Sequence, residues 1–235
     1  MRRLIKTRSV LLYLDRLWAT DIPLTTLLVF LLMYIFFLYP LGQVGSVRFL
    51  TFVFFSVILI SGALTASKNR VLRTFVFSWG LLIVIFYSIR YLFPFPTLII
   101  IATCLALFYL VLLTFLILAQ ALREGPTTSH RIMGAVAAYL LLGVIWSLIY
   151  YAVALHIPGA FKGLEALMEG DREVIRTQFQ YFSFTVLTTV GFGDIVPVHP
   201  IARMAAVLEG VVGQLFPAIL IARLVALHVQ SKQKT

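Results

Sequence analysis

Six apolar runs, at residues 22–39, 49–66, 74–93, 97–120, 132–155 and 201–227, constrain this chain more than any other feature. As helices rising about 1.5 Å per residue they approach or exceed the roughly 30 Å of a bilayer's hydrocarbon core. Breakers or charges close the first four: Pro40-Leu41-Gly42, Lys68-Asn69-Arg70, Pro94-Phe95-Pro96 and Arg123-Glu124-Gly125-Pro126. Composition agrees, at 61% hydrophobic and 12% charged. A soluble domain is about 45–50% apolar and about 25% charged. Lipid, not water, is the expected solvent.

Charge placement then sets the orientation. With the N-terminus inside, 13 of the 19 basic residues fall on the cytoplasmic side, among them Arg2, Arg3, Lys6, Arg8, Arg16, Lys68, Arg70, Arg73, Arg123 and Arg131. The outer segments hold Arg48, Arg90, Lys162, Arg172, Arg176 and Arg203, accompanied by Glu165, Glu169, Asp171, Glu173 and Asp194. Both termini are therefore expected in the cytoplasm of a multi-pass cell-membrane protein. The net charge of +10 is explained by topology, with no nucleic-acid partner. Residues 1–21 are basic and mildly amphipathic, and Asp15 and Arg16 interrupt any signal-peptide core. They read as a helix on the membrane surface or as a basic tail. The single cysteine, Cys104, excludes an intrachain disulfide and reads as a small core residue.

The region 156–200 breaks the six-span pattern. Pro158-Gly159 and Gly170-Asp171 suggest turns in an outer turret, followed by a helical pattern from about Arg172 to Thr188. That helix is too short to span, so it must re-enter. It delivers Thr188-Thr189-Val190-Gly191-Phe192-Gly193-Asp194, in which two glycines alternate with Val190 and Phe192. Glycine takes positive φ without steric cost, so alternating glycines let successive carbonyls point the same way. Such a row of oxygens replaces the water around a dehydrated cation. Taken alone, the heptapeptide also fits an ordinary loop between two helices. Non-helical backbone at membrane depth, however, survives only inside protein or along a wet cavity.

Thr189-Val190-Gly191-Phe192-Gly193-Asp194 resembles the selectivity filter of the potassium channel superfamily in its Phe-for-Tyr form. Tyr181 through Thr189 is similar to the pore helix of that family, with Tyr181 standing where many relatives have Trp. Its phenol still has a proton to donate to Asp194. Pro197 and Pro200 are expected to open the last span, Arg203 occupies a position often basic, and Gly213 lies 19 residues beyond Asp194, at the family's inner-helix hinge. The resemblance covers about 132–228, the two-helix pore module of prokaryotic potassium channels. It implies an all-α membrane protein with six transmembrane helices, a re-entrant pore helix and a filter, assembled as a homotetramer, because one module supplies one of four filter strands. The organisation expected is 1–21, a four-helix membrane domain 22–122, and a pore domain 123–235 (outer helix 132–155, turret and pore helix 156–187, filter 188–194, inner helix 200–228). The resemblance further implies that Thr188 through Gly193 line the K⁺ path, with K⁺ held by Thr189, Val190, Gly191 and Phe192. Tyr181, Thr185 and Asp194 would support the filter, and Gln214, after the Gly213 hinge, would face the cavity. Pro217 is a second weak point in the helix. Permeant K⁺ is the only ion implied, with no cofactor and no enzymatic activity, and the partners are further copies of the chain and membrane lipid.

Four spans before a pore module suggest a voltage-gated channel, and the residues argue against one. A sensor needs several basic residues through the fourth span, each worth about 2.3 kcal/mol per 100 mV. Residues 97–120 hold none, and no Asp or Glu occurs between Asp21 and Glu124. These spans are expected to serve packing, assembly or lipid contact, with Arg48 and Arg90 snorkelling to the outer interface. An intramembrane serine protease is not indicated: Ser61-Gly62 lacks a preceding Gly, and His130, His156, His199 and His228 lie at span ends. No ligand cluster points to a metal enzyme, and no paired broken helices point to a carrier. The roughly seven residues after the last span leave no room for a cytoplasmic gating domain. A non-conducting subunit sharing the pore fold is the remaining alternative.

Glu209 is the only acid inside a span. A carboxylate in hydrocarbon needs a partner or a proton. Lying one turn before Gly213, it is expected to bond to the pore helix around Thr185 or Thr188 and support the filter, or else to sit solvated in the cavity.

Overall fold

A computed structural model describes residues 22–38, 53–62, 70–92, 96–122, 129–164 and 172–233. The N-terminal segment 1–21, Arg48 and the turret residues 165–171 lie outside them, as do the side chains of Arg90, His130 and His228. The described residues are almost entirely helical. Helix α1 (Ile22–Met33) continues into one π-helical turn, Tyr34–Leu38. Then come α2 (Val53–Gly62), α3 (Arg70–Leu92), α4 (Pro96–Ala121) and α5 (Ser129–His156). Strand β1 (Phe161–Lys162), α6 (Arg172–Leu187), strand β2 (Val196–Pro197) and α7 (Pro200–Gln233) complete the chain. Three of these helices are long and apolar enough to cross a membrane, over Ile100–Ala121, Arg131–His156 and Pro200–Arg223. The spans expected at 22–39, 49–66 and 74–93 coincide with shorter apolar helices, Leu24–Phe37, Val53–Gly62 and Thr74–Ile89.

Helix α5 is the hub, packing against α4, α6, α1 and α7. Small residues allow that. Ala135, Ala137 and Ala138 are fully buried, and a Cβ on Gly143 would stand 2.6 Å from the Phe184 ring. In lipid, where burial of apolar surface gives little drive between helices, such close approach is what holds them. One core cluster joins α1–α4 to the first two-thirds of α5; a second joins the end of α5 to α6, β1 and the start of α7.

Helix α4 buries Ala102, Ala106, Tyr109, Leu113 and Ile117, a stripe at three- and four-residue spacing. Its opposite side carries Cys104 and Phe108, both exposed. The expectation of Cys104 as a core residue is thus corrected. A helix apolar on every side offers no polar face from which the inward side could be read.

The short sheet positions the functional loop. Phe161 pairs with Pro197 and Lys162 with Val196, antiparallel. Pro197 therefore belongs to this strap rather than opening the last helix, which begins at Pro200. Proline suits that first helical position because its missing N–H would have had no partner there. His199 caps the helix, its Nδ1 accepting from the Ile201 N–H at 3.3 Å. Val198 N–H adds a bond to Ala160 O at 2.9 Å. Gly163 has φ +90°, and a Cβ there would lie 2.0 Å from Asp194 O, so only glycine lets the strap lie against the loop.

Candidate functional site

Sixteen residues of α6, about 24 Å of helix, stop short of a full crossing. Buried Phe179 and Phe182 lock it in place. Phe179 meets Phe161 edge-on with ring centroids 4.8 Å apart, and Phe182 meets Tyr150 at 4.9 Å. The helix end then winds tightly into the loop. Thr188 N–H donates to Phe184 O (3.1 Å), and Thr189 N–H to Val186 O (2.9 Å). The Thr185 carbonyl accepts from both Val190 N–H (2.9 Å) and Gly191 N–H (3.1 Å). The hydroxyls of Thr185 and Thr188 turn back onto the helix, to Phe182 O (2.8 Å) and Phe184 O (2.6 Å).

From Thr189 the backbone alternates in hand: φ is +61° at Thr189, +54° at Gly191 and +79° at Gly193, and negative at Val190 and Phe192. Alternation of this kind turns successive carbonyls to one side. Thr189 extends it by one residue beyond the glycines, and no sequence signal pointed to that. A β-branched residue held there costs about 1–3 kcal/mol and persists where surrounding bonds enforce it. Among the described residues no carbonyl from Thr189 to Gly193 accepts a hydrogen bond. Thr188 through Asp194 are all exposed in the single chain. A row of uncommitted oxygens on a loop tethered by its N–H groups offers the donor set that a dehydrated cation needs, without side-chain charge.

Behind the row, Phe192 stacks on Tyr181, with centroids 6.2 Å apart and planes 5° from parallel. The Tyr181 hydroxyl and the Asp194 carboxylate lie close enough to interact electrostatically. Arg203 Nε donates to Pro197 O at 3.2 Å, fastening the loop's exit to α7.

Glu209 is fully buried within the subunit. Its partners differ from those expected. Tyr150 of α5 donates to Oε2, and Ser183 Oγ of α6 lies 2.6 Å from Oε1. Thr185 and Thr188, the residues expected to bond it, face their own helix. The α6 position facing α7 is set by how the two helices cross, which spacing within either helix does not encode. The burial also removes Glu209 from any solvated cavity.

Gly213 lies one turn on. A Cβ there would stand 2.1 Å from Leu187 O, and that same carbonyl accepts from Tyr139 Oη at 3.2 Å. The glycine thus lets α7 pass directly against the end of α6. Gln214 is exposed, and α7 runs unbroken through Pro217.

Sequence reasoning missed Arg176, which looked like an outer topological charge. It is 7% exposed, its guanidinium lying between the Tyr87 ring of α3 (5.8 Å) and the Tyr151 ring of α5 (5.7 Å). Its Nη2 donates to the Tyr87 hydroxyl at 3.3 Å. A run of aromatics on two other helices was the signal available, but it names no partner.

No curated protein and no solved structure matches the chain. Residues 134–230, from the first turn of α5 to the last turns of α7, match the family model described as "Ion channel". That stretch, which is similar to an ion-channel domain, contains α6, the alternating loop and the Glu209 contacts, and it lies in an apolar chain with three helices long and apolar enough to cross a membrane.

Proposed function

We propose that the chain is the subunit of a potassium-selective channel that conducts passively through a homotetrameric pore in the cell membrane. The observation that carries this reading is the alternation of positive φ at Thr189, Gly191 and Gly193, with every carbonyl between them uncommitted. Thr189, Val190, Gly191 and Phe192 would each present a carbonyl to K⁺, and the Thr189 hydroxyl would be the innermost ligand. One loop provides a quarter of such a ring, so four copies are needed around one axis. The surface of α7 supports that requirement. Ile201, Met204, Val207, Leu208, Val211 and Leu215 are exposed in the single chain and would meet neighbouring copies, lipid or the cavity.

Gating by a charged fourth helix has no physical basis here, since residues 97–120 carry no Arg or Lys. Helices α1–α4 would serve packing and lipid contact, and both termini would be cytoplasmic. Gly213 would combine close packing with the hinge role, and Gln214 would face the cavity. In the test, purified protein in liposomes takes up Rb⁺ against a K⁺ gradient and barium blocks the uptake. Equal uptake of Na⁺ or Li⁺ contradicts the reading.

A further inference from the structure

Ser183 carries one hydroxyl proton and stands between two acceptors. Its Oγ is 2.6 Å from Glu209 Oε1 and 2.7 Å from the Gly143 carbonyl of α5. A single proton serves one of these contacts and leaves the other as two oxygens in apposition. A second proton resolves this, and the source available among the contacting groups is the carboxyl itself. Oε1–H then donates to Ser183 Oγ, Ser183 O–H donates to Gly143 O, and Tyr150 O–H donates to Oε2. Every contact then holds one hydrogen.

We propose that Glu209 is a neutral carboxylic acid that donates to Ser183, closing a relay from α7 through α6 to α5 that positions the pore helix. The environment agrees with the count. Glu209 has no accessible surface, and among the described residues none of its partners is a cation. The titratable groups facing it are the phenols of Tyr150 and Tyr139, both on α5. An isolated carboxylate at such a place costs several kcal/mol, and an acid that donates does not bear that cost.

The relay matters because of what lies on either side of it. Ser183 is two residues before Thr185, whose carbonyl holds the N–H groups of Val190 and Gly191. One turn along α7, Gly213 touches the carbonyl of Leu187. Glu209 thus fixes the spacing between the inner helix and the helix that delivers the loop. It is a positioning residue, and it touches no permeant ion.

The inference takes its functional readout from the channel reading and its spectroscopic readout from neither channel nor tetramer. In infrared spectra of the purified protein at neutral pH, the wild type shows a protonated carboxylic C=O band. That band shifts in D₂O and is absent from Glu209→Gln. In Rb⁺ uptake, Glu209→Gln stays within about twofold of wild type, because its amide N–H replaces the acid proton toward Ser183 and its oxygen still accepts from Tyr150. Glu209→Ala, which leaves buried hydroxyls without their partner, loses about tenfold or more. Absence of the carboxylic band, or a Gln variant as impaired as Ala, overturns the proposal. If wild-type protein passes no ions, the channel reading fails and the infrared band alone decides the protonation of Glu209.

Discussion

The front of this molecule, α1–α4, and its rear, α5–α7, are both built from helices but held together differently. Among α1–α4 the contacts are shapes. Leu113 of α4 fills the space a side chain at Gly62 of α2 would need, with Cδ2 2.4 Å from the position of a Cβ. Trp79 and Phe108 lie with ring centroids 5.3 Å apart, and Phe55 and Tyr87 at 5.5 Å. A polar bond crosses between these helices where Tyr109 donates to Leu59 O. Among α5–α7 and the strap, packing is joined by bonds with direction: Tyr150 and Ser183 to Glu209, Tyr139 to Leu187, Arg203 to Pro197. Shape complementarity is enough to keep helices together in lipid. Directional bonds are needed where a backbone must be held in an unfavourable conformation, and the alternating loop is such a place.

The rear contains a second contrast. In the most apolar stretch of α5, 61% of residues are buried, against 11% in α7. α5 finds its partners within the chain. α7 buries mainly one stripe, Ala202, Glu209 and Gly213, and leaves the rest for other molecules. The proposed tetramer is where that unsatisfied face would go.

Perturbing the rear is expected to abolish function, and perturbing the front only to weaken it. Gly191→Ala has the largest effect. No atom outside its neighbours lies within 4 Å of the added Cβ, so the penalty is the +54° backbone itself, about 1–2 kcal/mol in each copy of the proposed tetramer. Loss of discrimination between K⁺ and Na⁺ flux is the expected result.

Gly213 and Gly210 sharpen the contrast within one helix. Gly213→Ala pushes a methyl into the Leu187 carbonyl and should displace the pore helix, removing Rb⁺ uptake while the helical circular dichroism persists. Gly210→Ala meets nothing within 4 Å and should be silent in flux. By helix propensity it should add about 0.5–1 kcal/mol of stability. Equal damage from both would mean that flexibility of α7, rather than close packing at Gly213, governs the pore.

The junction between front and rear is Arg176 between Tyr87 and Tyr151. Tyr87→Phe removes the hydrogen bond to the guanidinium and should cost about 1.5–3 kcal/mol in thermal unfolding of the solubilised protein. Tyr87→Leu removes the ring as well and should cost about 0.5–2 kcal/mol more. The smallest effect expected is that of voltage. Because residues 97–120 are uncharged, open probability should change little across the physiological range, and activation needing several gating charges would contradict the account.

What the sequence made legible follows from chemistry that is local. The short helix before the loop was expected from about Arg172 to Thr188 and is found from Arg172 to Leu187, because glycines and a turn bracket an aromatic run too short to span. The loop was legible through Gly191 and Gly193, whose lack of a Cβ permits positive φ; Thr189, in the same conformation, gave no such sign. Contacts between helices were not legible. Glu209 announced its need for a partner, but Ser183 and Tyr150 rather than Thr185 or Thr188 supply it, and that choice belongs to the helix crossing. Arg176 and Cys104 were misplaced for the same reason: charge and hydropathy report the solvent a helix sits in, not which of its sides meets another helix.

The central claim is that the carbonyl row from Thr189 to Gly193 selects K⁺. The direct measurement is the reversal potential of reconstituted channels in a planar bilayer, with K⁺ on one side and the same concentration of Na⁺ on the other. The account predicts a reversal potential displaced far toward the K⁺ equilibrium value, and abolition of that displacement by Gly191→Ala. A wild-type current reversing near zero would contradict it.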